Sequence, residues 1–292
     1  MNKTITLFFA AITIVFVACS GNSSKPDYNL KGKVRHIRTT NYYAVERFGK
    51  FEKGELTDEI GEPCLYDNYF SLNGLMDSTV AYNRQKQLLY KSFNTFENDK
   101  IIAQKNYNGD GSLASSYDFS YNEKTGEQEE VRRYDAKEGR QWRYVVRRSP
   151  NDPSVIEKIT YDENGDVNYR CKVKEYKKNG KLVEEISYDS DGNVKMVRRY
   201  SDEKMILDSV VDDLVKYWEY NQKGDVVYWS WGKDMYDYSR GTGIDFHYSY
   251  EYDEKGNWIK RTLYRGRHDE DEEPDHSECT PVYIQERVIE YY

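Results

Sequence analysis

A short unit that recurs along the chain constrains the fold more than any other feature of the sequence. Its clearest copy is Tyr188-Asp189-Ser190-Asp191-Gly192-Asn193-Val194. Good copies begin at Tyr107, Tyr121, Tyr161, Tyr176, Tyr188, Tyr220 and Tyr252, and weaker copies begin at Phe70, Tyr82, Phe96, Tyr134 and Tyr200. Such repetition predicts an array of similar supersecondary structures rather than an irregular globular fold.

The glycine of each unit marks a chain reversal. Asn-Gly and Asp-Gly dipeptides such as Asn164-Gly165, Asn179-Gly180 and Asp191-Gly192 favour turns because these residues tolerate a positive φ. Between turns lie about eight strand-forming residues, and parallel strands would need crossovers longer than the available connections. The sequence therefore predicts an all-β fold, an antiparallel meander of repeated β-hairpins that forms an extended, curved, repeat-type sheet with two exposed edges.

The alternation of apolar and polar residues is typical of strands, although it is incomplete. Leu182 and Ile186 share a face on which Glu184 intervenes. This pattern suits a single-layer sheet in which long side chains cover both faces with their aliphatic stems. Residues 205–218 fit either a short helix or a hairpin, and their Val and Tyr content favours strands.

The N-terminal residues predict export and lipid anchoring. Ile5 to Val17 is apolar but too short to span a bilayer, and Lys3 precedes it, as in a signal peptide. Small residues followed by Cys19 resemble the processing site of bacterial lipoproteins. We predict a signal peptide over 1–18, lipidation of Cys19, a tether over 19–29 and a β-sheet domain over 30–292. The alternative is an ordinary secretory signal with an incidental cysteine.

The location and partners follow from charge and from the residues after Cys19. In similar lipoproteins an acidic cluster there favours the cell surface, and here the residues are Ser, Gly and Asn. We expect a lipid-anchored protein on the outer membrane that faces the periplasm. The net charge of −8 argues against a nucleic-acid partner. The remaining Cys64, Cys171 and Cys279 allow at most one disulfide.

Four of the five tryptophans lie between residues 217 and 258, among many tyrosines. Trp229 and Trp231 are two residues apart and therefore share one face of a strand. Flat aromatic rings at a surface suit contact with a ligand. The predicted ligand-contacting residues are Trp218, Tyr228, Trp229, Trp231, Tyr236 and Tyr238. The alternative is that these rings pack on one another across strands.

No pattern in the sequence predicts a metal, a cofactor or a catalytic residue. The acidic run 268–276 lies between two histidines, but its consecutive acids lack calcium-loop spacing and favour a solvated loop. The nucleophile, zinc-protease and phosphate-binding motifs are absent from the sequence. His36 and His247 are isolated in the sequence and are interpreted as ordinary strand residues.

The Tyr-Asp-x-x-Gly units, the start Leu30-Lys31-Gly32-Lys33-Val34 and the ending 252–292 resemble the YD-repeat (rearrangement-hotspot-like) family in its short bacterial lipoprotein form. The resemblance implies a repeat-built all-β sheet. In large relatives such repeats enclose toxins or form surface modules that contact carbohydrates or proteins. This chain lacks the long array that a closed shell requires.

These observations lead to one main hypothesis and three alternatives. The main hypothesis is an envelope-anchored lipoprotein with a non-enzymatic binding or scaffolding role, which contacts a glycan or an envelope protein through an aromatic sheet face. An envelope polysaccharide or peptidoglycan hydrolase would instead need two carboxylates about 5 to 10 Å apart. An immunity-type protein would use its acidic charge to bind a basic toxin. A structural spacer would have no ligand.

Overall fold

The computed structural model describes residues 29–58, 62–202, 204–210, 215–232, 244–267 and 279–292, and every regular element in these ranges is a β-strand. The strands are β1 Val34–Arg47, β2 Lys50–Leu56, β3 Leu65–Phe70, β4 Met76–Tyr82, β5 Leu88–Glu97, β6 Lys100–Asn108, β7 Leu113–Tyr121, β8 Gln128–Asp135, β9 Arg140–Arg148, β10 Val155–Tyr161, β11 Val167–Lys178, β12 Lys181–Tyr188, β13 Val194–Ser201, β14 Lys204–Val210, β15 Val215–Tyr220, β16 Val226–Gly232, β17 Ile244–Tyr252, β18 Trp258–Arg267 and β19 Thr280–Tyr291. The predicted all-β fold is confirmed.

The chain divides into two compact units. The first comprises the described residues of Met1–Tyr42, Glu55–Gly139 and Glu286–Tyr292, and the second comprises those of Tyr43–Gly54 and Arg140–Gln285. In the first unit β1 pairs with β3, and the consecutive strands from β3 to β8 pair antiparallel with one another. In the second unit β9 to β18 do the same. The antiparallel meander is therefore confirmed, as is the strand interpretation of residues 205–218, which contribute to β14 and β15.

The first and last strands, β1 and β19, pair with each other. Within the first unit, the backbone nitrogen of Tyr292 donates to the carbonyl of Lys33 at 3.0 Å. Arg35 and Glu290 form an ion pair at 2.9 Å beside this contact. The expectation of two exposed edges is wrong for β1 and β19. The repeated turns determine how successive strands pair, but they carry no information about which strand meets the first one.

Five of the seven good repeat copies form the same turn. In the copy at Tyr188, the Asp189 carboxylate accepts backbone hydrogen bonds from Asp191 at 3.0 Å and Asn193 at 2.9 Å. Gly192 has a φ of 86°. The ladder shifts register between Ser187 and Tyr188, so the repeated aromatic residue lies at a bulge. The same turn recurs at four other good copies, with the glycines Gly111, Gly165, Gly224 and Gly256 at φ between 86° and 88°. The copies at Tyr121 and Tyr176 turn differently, with Gly126 at a φ of 71° and with both Asn179 and Gly180 at positive φ.

Small hydrophobic clusters stabilise each unit beside many buried polar groups. Val34, Ile37, Phe70 and Met76 form the cluster of the first unit. Ile156, Cys171 and Val173 form that of the second unit. Polar partners also lie inside, as where Asn68 accepts a hydrogen bond from Thr79 at 2.7 Å.

Long charged side chains cover other parts of both units. The Arg143 guanidinium, for example, lies 4.2 Å from the centre of the Tyr161 ring. Such covering by long side chains explains why the apolar alternation of the sequence is incomplete.

Cys64, Cys171 and Cys279 are reduced, so no disulfide joins the described cysteines. The described ranges contain no helix long and apolar enough to cross a membrane.

Candidate functional site

The largest group of contacting aromatic side chains described here lies on strands β15 to β18 of the second unit. Trp229 lies directly opposite Trp218 on one side and Phe246 on the other. The Trp229 and Phe246 rings stack at 4.4 Å with an interplanar angle of 14°. We define the aromatic face as the half-buried side chains of Trp218, Trp229, Phe246, Tyr248 and Tyr250, which period-two alternation places on the same side of these strands.

Hydrogen bonds hold the rings of the aromatic face in place. The Trp229 indole nitrogen donates to the Tyr248 hydroxyl at 3.1 Å. The Tyr250 hydroxyl donates to the carbonyl of Val226 at 2.6 Å, and burial raises the pKa of Tyr250 well above its usual range. Because a phenol with a raised pKa stays protonated, Tyr250 remains a hydrogen-bond donor at every physiological pH.

A cation borders the aromatic face. The Arg261 guanidinium lies 5.1 Å from the ring centres of both Tyr248 and Trp258. Arg261 is also the cross-strand partner of Tyr250, whose ring meets Trp258 edge-on at 6.2 Å. Rings beside a cation and hydroxyl groups provide stacking, charge and hydrogen bonding together, which suits a polar ligand that has flat apolar surfaces.

The predicted ligand-contacting residues divide between two faces. Trp218 and Trp229 belong to the aromatic face, and Trp231 follows Trp229 by two residues along β16. Tyr228 lies on the opposite face, where its ring is 4.8 Å from His247. Tyr236 and Tyr238 lie outside the described residues, as do Cys19 and the acidic run 268–276.

Sequence reasoning omitted several residues that complete the aromatic face. Phe246, Tyr248 and Tyr250 are each two residues apart, which is the signal that places them together. Arg261 gave no such signal because its position depends on the register between β17 and β18.

His36 lies in strand β1, as the sequence indicated, and the structure adds a contact with a buried carboxylate. In the first unit its Nε2 lies 2.7 Å from the fully buried Asp67 carboxylate, and its Nδ1 lies 3.6 Å from Glu290. Arg38 donates to both oxygens of Asp67. Burial raises the pKa of Asp67, but the hydrogen bonds from Arg38 and His36 outweigh this and leave it below its usual value.

The second unit brings two carboxylates together, as the hydrolase alternative requires. Glu175 and Glu185 are direct cross-strand partners, and each residue is less than one-tenth exposed. Arg148 contacts Glu175 at 3.0 Å, and the Tyr200 hydroxyl donates to Glu185 at 2.5 Å. Both carboxylates thus have protein partners and little exposure, which indicates a structural network rather than a substrate cleft.

Within the described ranges no three histidine, cysteine or acidic side chains come together in a way that would hold a metal ion. His36, Asp67 and Glu290 adjoin two arginines, Arg35 and Arg38, which already neutralise the carboxylates.

Comparison with known proteins gives only remote likenesses. No family model and no curated protein matches the chain. A porin-like protein from Bacteroides uniformis has 9% identity and a TM-score of 0.39, covering 92% of this chain and 100% of its own. A porin-like protein from Bacteroides vulgatus has 8% identity and a TM-score of 0.29, covering 89% and 98%. The Photorhabdus luminescens Tc holotoxin pore has 7% identity and a TM-score of 0.24. The match covers 80% of this chain and 16% of the holotoxin chain. Scores this low establish neither a shared fold nor a shared function.

Proposed function

We propose that this protein is an envelope-anchored lipoprotein of the YD-repeat type with a non-enzymatic binding role, and that its aromatic face contacts a glycan. The observation that carries the proposal is the row of aromatic side chains from Trp218 to Tyr250, whose rings are half-buried rather than enclosed. Aromatic rings of this kind stack on sugar rings, while hydroxyl groups and Arg261 bind sugar oxygens.

Anchoring through Cys19 rather than through the strands fits the charges of the sheet. Along β11 the side chains of Arg170, Lys172 and Lys174 share one face, and Glu175 lies on the other. Each charge placed in hydrocarbon would cost about 2–4 kcal/mol. The lipid on Cys19 would therefore make the membrane contact on the outer membrane, with the strands in the periplasm.

Replacement of the lipidated cysteine tests the anchoring. We expect Cys19→Ala to move the protein from the membrane fraction to the soluble periplasmic fraction. An unchanged membrane fraction with Cys19→Ala would show that the anchor lies elsewhere.

Substitution on the two faces of β16 tests the glycan contact. The full chain is first screened on a glycan array, and affinity for the best glycan is measured by calorimetry. We expect Trp229→Ala to weaken binding about fivefold, since one aromatic contact contributes about 1 kcal/mol. Trp229→Phe keeps a ring and retains most of the affinity.

Tyr228→Ala is the matched control. It removes a half-buried ring from the same strand, but on the opposite face. Its affinity is expected to stay within about twofold of wild type. Equal losses in Trp229→Ala and Tyr228→Ala would refute a face-specific site. Capture of an envelope protein by a chain that binds no glycan would refute the glycan as ligand.

A further inference from the structure

A second aromatic arrangement lies in the first unit, on the face of β3, β4 and β5 that also carries Asp67. Tyr69 and Phe93 are the cross-strand partners of Ser78 on its two sides. They are 39% and 45% exposed, more than any ring of the aromatic face. The two exposed rings therefore flank the small Ser78 side chain on neighbouring strands, and we call this arrangement the Tyr69–Phe93 cleft.

Each of the two rings contacts another aromatic ring on a neighbouring strand. Tyr69 stacks on His36 with ring centres 4.7 Å apart and an interplanar angle of 17°. Phe93 meets the edge of Tyr107 at 6.0 Å. His36 is itself bonded to the buried Asp67. These contacts, made on β1 and β6, restrain rings that remain 39% and 45% exposed, which reduces the entropy lost on binding.

The spacing of the strands fits one six-membered ring. Neighbouring strands lie about 4.8 Å apart, so the backbones of Tyr69 and Phe93 are roughly 10 Å apart across β4. A flat ring placed above Ser78 would lie about 5 Å from each aromatic ring, which is within the usual stacking range.

Two lysines lie on the Phe93 side of the cleft, although the whole chain has a net charge of −8. On the Tyr69 side, the Glu290 carboxylate lies 3.6 Å from His36 and is paired with Arg35. Lys105 is the cross-strand partner of Phe93, and Lys91 lies two residues before Phe93 on the same face. Among the described residues, neither lysine has a carboxylate within 4.0 Å. The carboxylate of Asp67 is already bound by Arg38 and His36.

We propose that the Tyr69–Phe93 cleft binds an acidic glycan, with a sugar ring between Tyr69 and Phe93 and its carboxylates on Lys91 and Lys105. This site is separate from the aromatic face and does not depend on the proposed function of that face. Charge complementarity favours an anionic sugar over a neutral one, and the ring-sized gap favours a sugar over an extended peptide.

Calorimetry with the full chain tests the cleft, with polygalacturonate as the probe and its methyl ester as the neutral counterpart. We expect polygalacturonate to bind, and its affinity to fall about tenfold in Tyr69→Ala and in Phe93→Ala. Tyr69→Phe keeps the ring and is expected to bind within about twofold of wild type. The double variant Lys91→Gln/Lys105→Gln should bind more weakly and show a smaller dependence on salt.

Two controls separate this site from the rest of the protein. Tyr169→Ala removes a 54% exposed ring in the other unit, and its binding should be unchanged. Trp229→Ala should also leave polygalacturonate binding unchanged. Loss of polygalacturonate binding in Trp229→Ala but not in Tyr69→Ala or Phe93→Ala would overturn the proposed site in the cleft. Binding would then be assigned to the aromatic face. Equal affinity for the methyl ester, or no affinity for polygalacturonate, would overturn the acidic-glycan assignment.

Discussion

The ammonium group of Lys204 lies 4.9 Å from the centre of the Tyr220 ring. The same nitrogen donates to the carbonyl of Gly224 at 2.7 Å, in the turn that Tyr220 begins. The Tyr220 hydroxyl in turn donates to the carbonyl of Met205 at 2.9 Å. Lys204 and Tyr220 thus join this turn to the neighbouring strand.

The other unit repeats this arrangement. Lys100 lies 4.9 Å from the centre of the Tyr121 ring and donates to the carbonyl of Gly126 at 3.1 Å. The Tyr121 hydroxyl donates to Ile101 at 2.9 Å. The recurrence gives a physical reason for tyrosine at the start of the repeat, because phenylalanine would supply the ring but not the hydroxyl.

Removal of the lysine charge should weaken the second unit. We expect Lys204→Met to lower the free energy of unfolding by about 1 kcal/mol, because it removes a cation–π contact and a hydrogen bond but keeps the stem. Urea denaturation measures the change. Lys172→Met at an exposed position is the control and should change stability by less than about 0.5 kcal/mol. Equal effects of the two substitutions would contradict a specific role for Lys204.

The turn glycines should be required for their backbone conformation rather than for space. A Cβ atom at Gly192 would meet no atom within 4 Å, but the φ of 86° is unfavourable for alanine. We expect Gly192→Ala to cost about 1–2 kcal/mol in thermal denaturation. Gly192→Asn should cost less, because asparagine adopts positive φ more readily. An asparagine variant no more stable than the alanine variant would argue against this explanation.

The buried carboxylate of Asp67 should make the stability of the first unit depend on acidic pH. Its pKa is lowered in the folded chain, so its contribution is fully present above about pH 4, where the unfolded carboxyl ionises. The contribution is lost as the pH falls through the folded pKa. Asp67→Asn should therefore destabilise by about 3 kcal/mol at pH 7 and by less at pH 3. Urea denaturation at both pH values measures this.

The exposed turn variant Asp191→Asn is the control for the Asp67 measurement. It removes one carboxylate without breaking a buried ion pair. We expect its stability to follow that of the wild type at both pH values. If Asp67→Asn lowers the free energy of unfolding as much at pH 3 as at pH 7, the side-chain packing of Asp67, and not its charge, is responsible.

The cysteines should react as thiols. In the Cys19→Ala chain we expect three thiols to react with Ellman's reagent in denaturant, from Cys64, Cys171 and Cys279. In the native chain Cys279 should react first, because Cys64 and Cys171 are buried and burial raises the pKa of Cys64. Detection of a single thiol in denaturant would reveal a disulfide.

The turn signals predicted the strands well because they act locally. Gly165, Gly180, Gly192 and Gly224 all have positive φ between consecutive strands, as their Asn-Gly, Asp-Gly and Lys-Gly contexts required. The region 136–151 carried no clear turn signal, yet β9 occupies Arg140–Arg148 after a turn in which Gly139 has a φ of 66°. Glycine alone at that position was too weak a signal without a preceding Asn or Asp.

The candidate sites depended more on pairing than on sequence spacing. Alternation predicted that Trp229 and Trp231 share a face, but Trp218 lies opposite Trp229 only through the register between β15 and β16, and Tyr228 faces the other way. The Tyr69–Phe93 cleft was not predicted, because its rings are on different strands and meet only through their shared partner Ser78. Cross-strand neighbours of this kind follow from the register of two hairpins, which no single repeat encodes.

By itself, the sequence determined an antiparallel meander, since Asx side chains and positive-φ glycines direct each reversal within five residues of backbone. Only the tertiary structure decided that β1 meets β19 and that His36 meets Asp67. Those contacts join residues that are distant along the chain, and an apolar alternation interrupted by charged residues does not select them. They depend instead on hydrogen-bond register and on the pairing of buried charges, which arise once many strands are assembled.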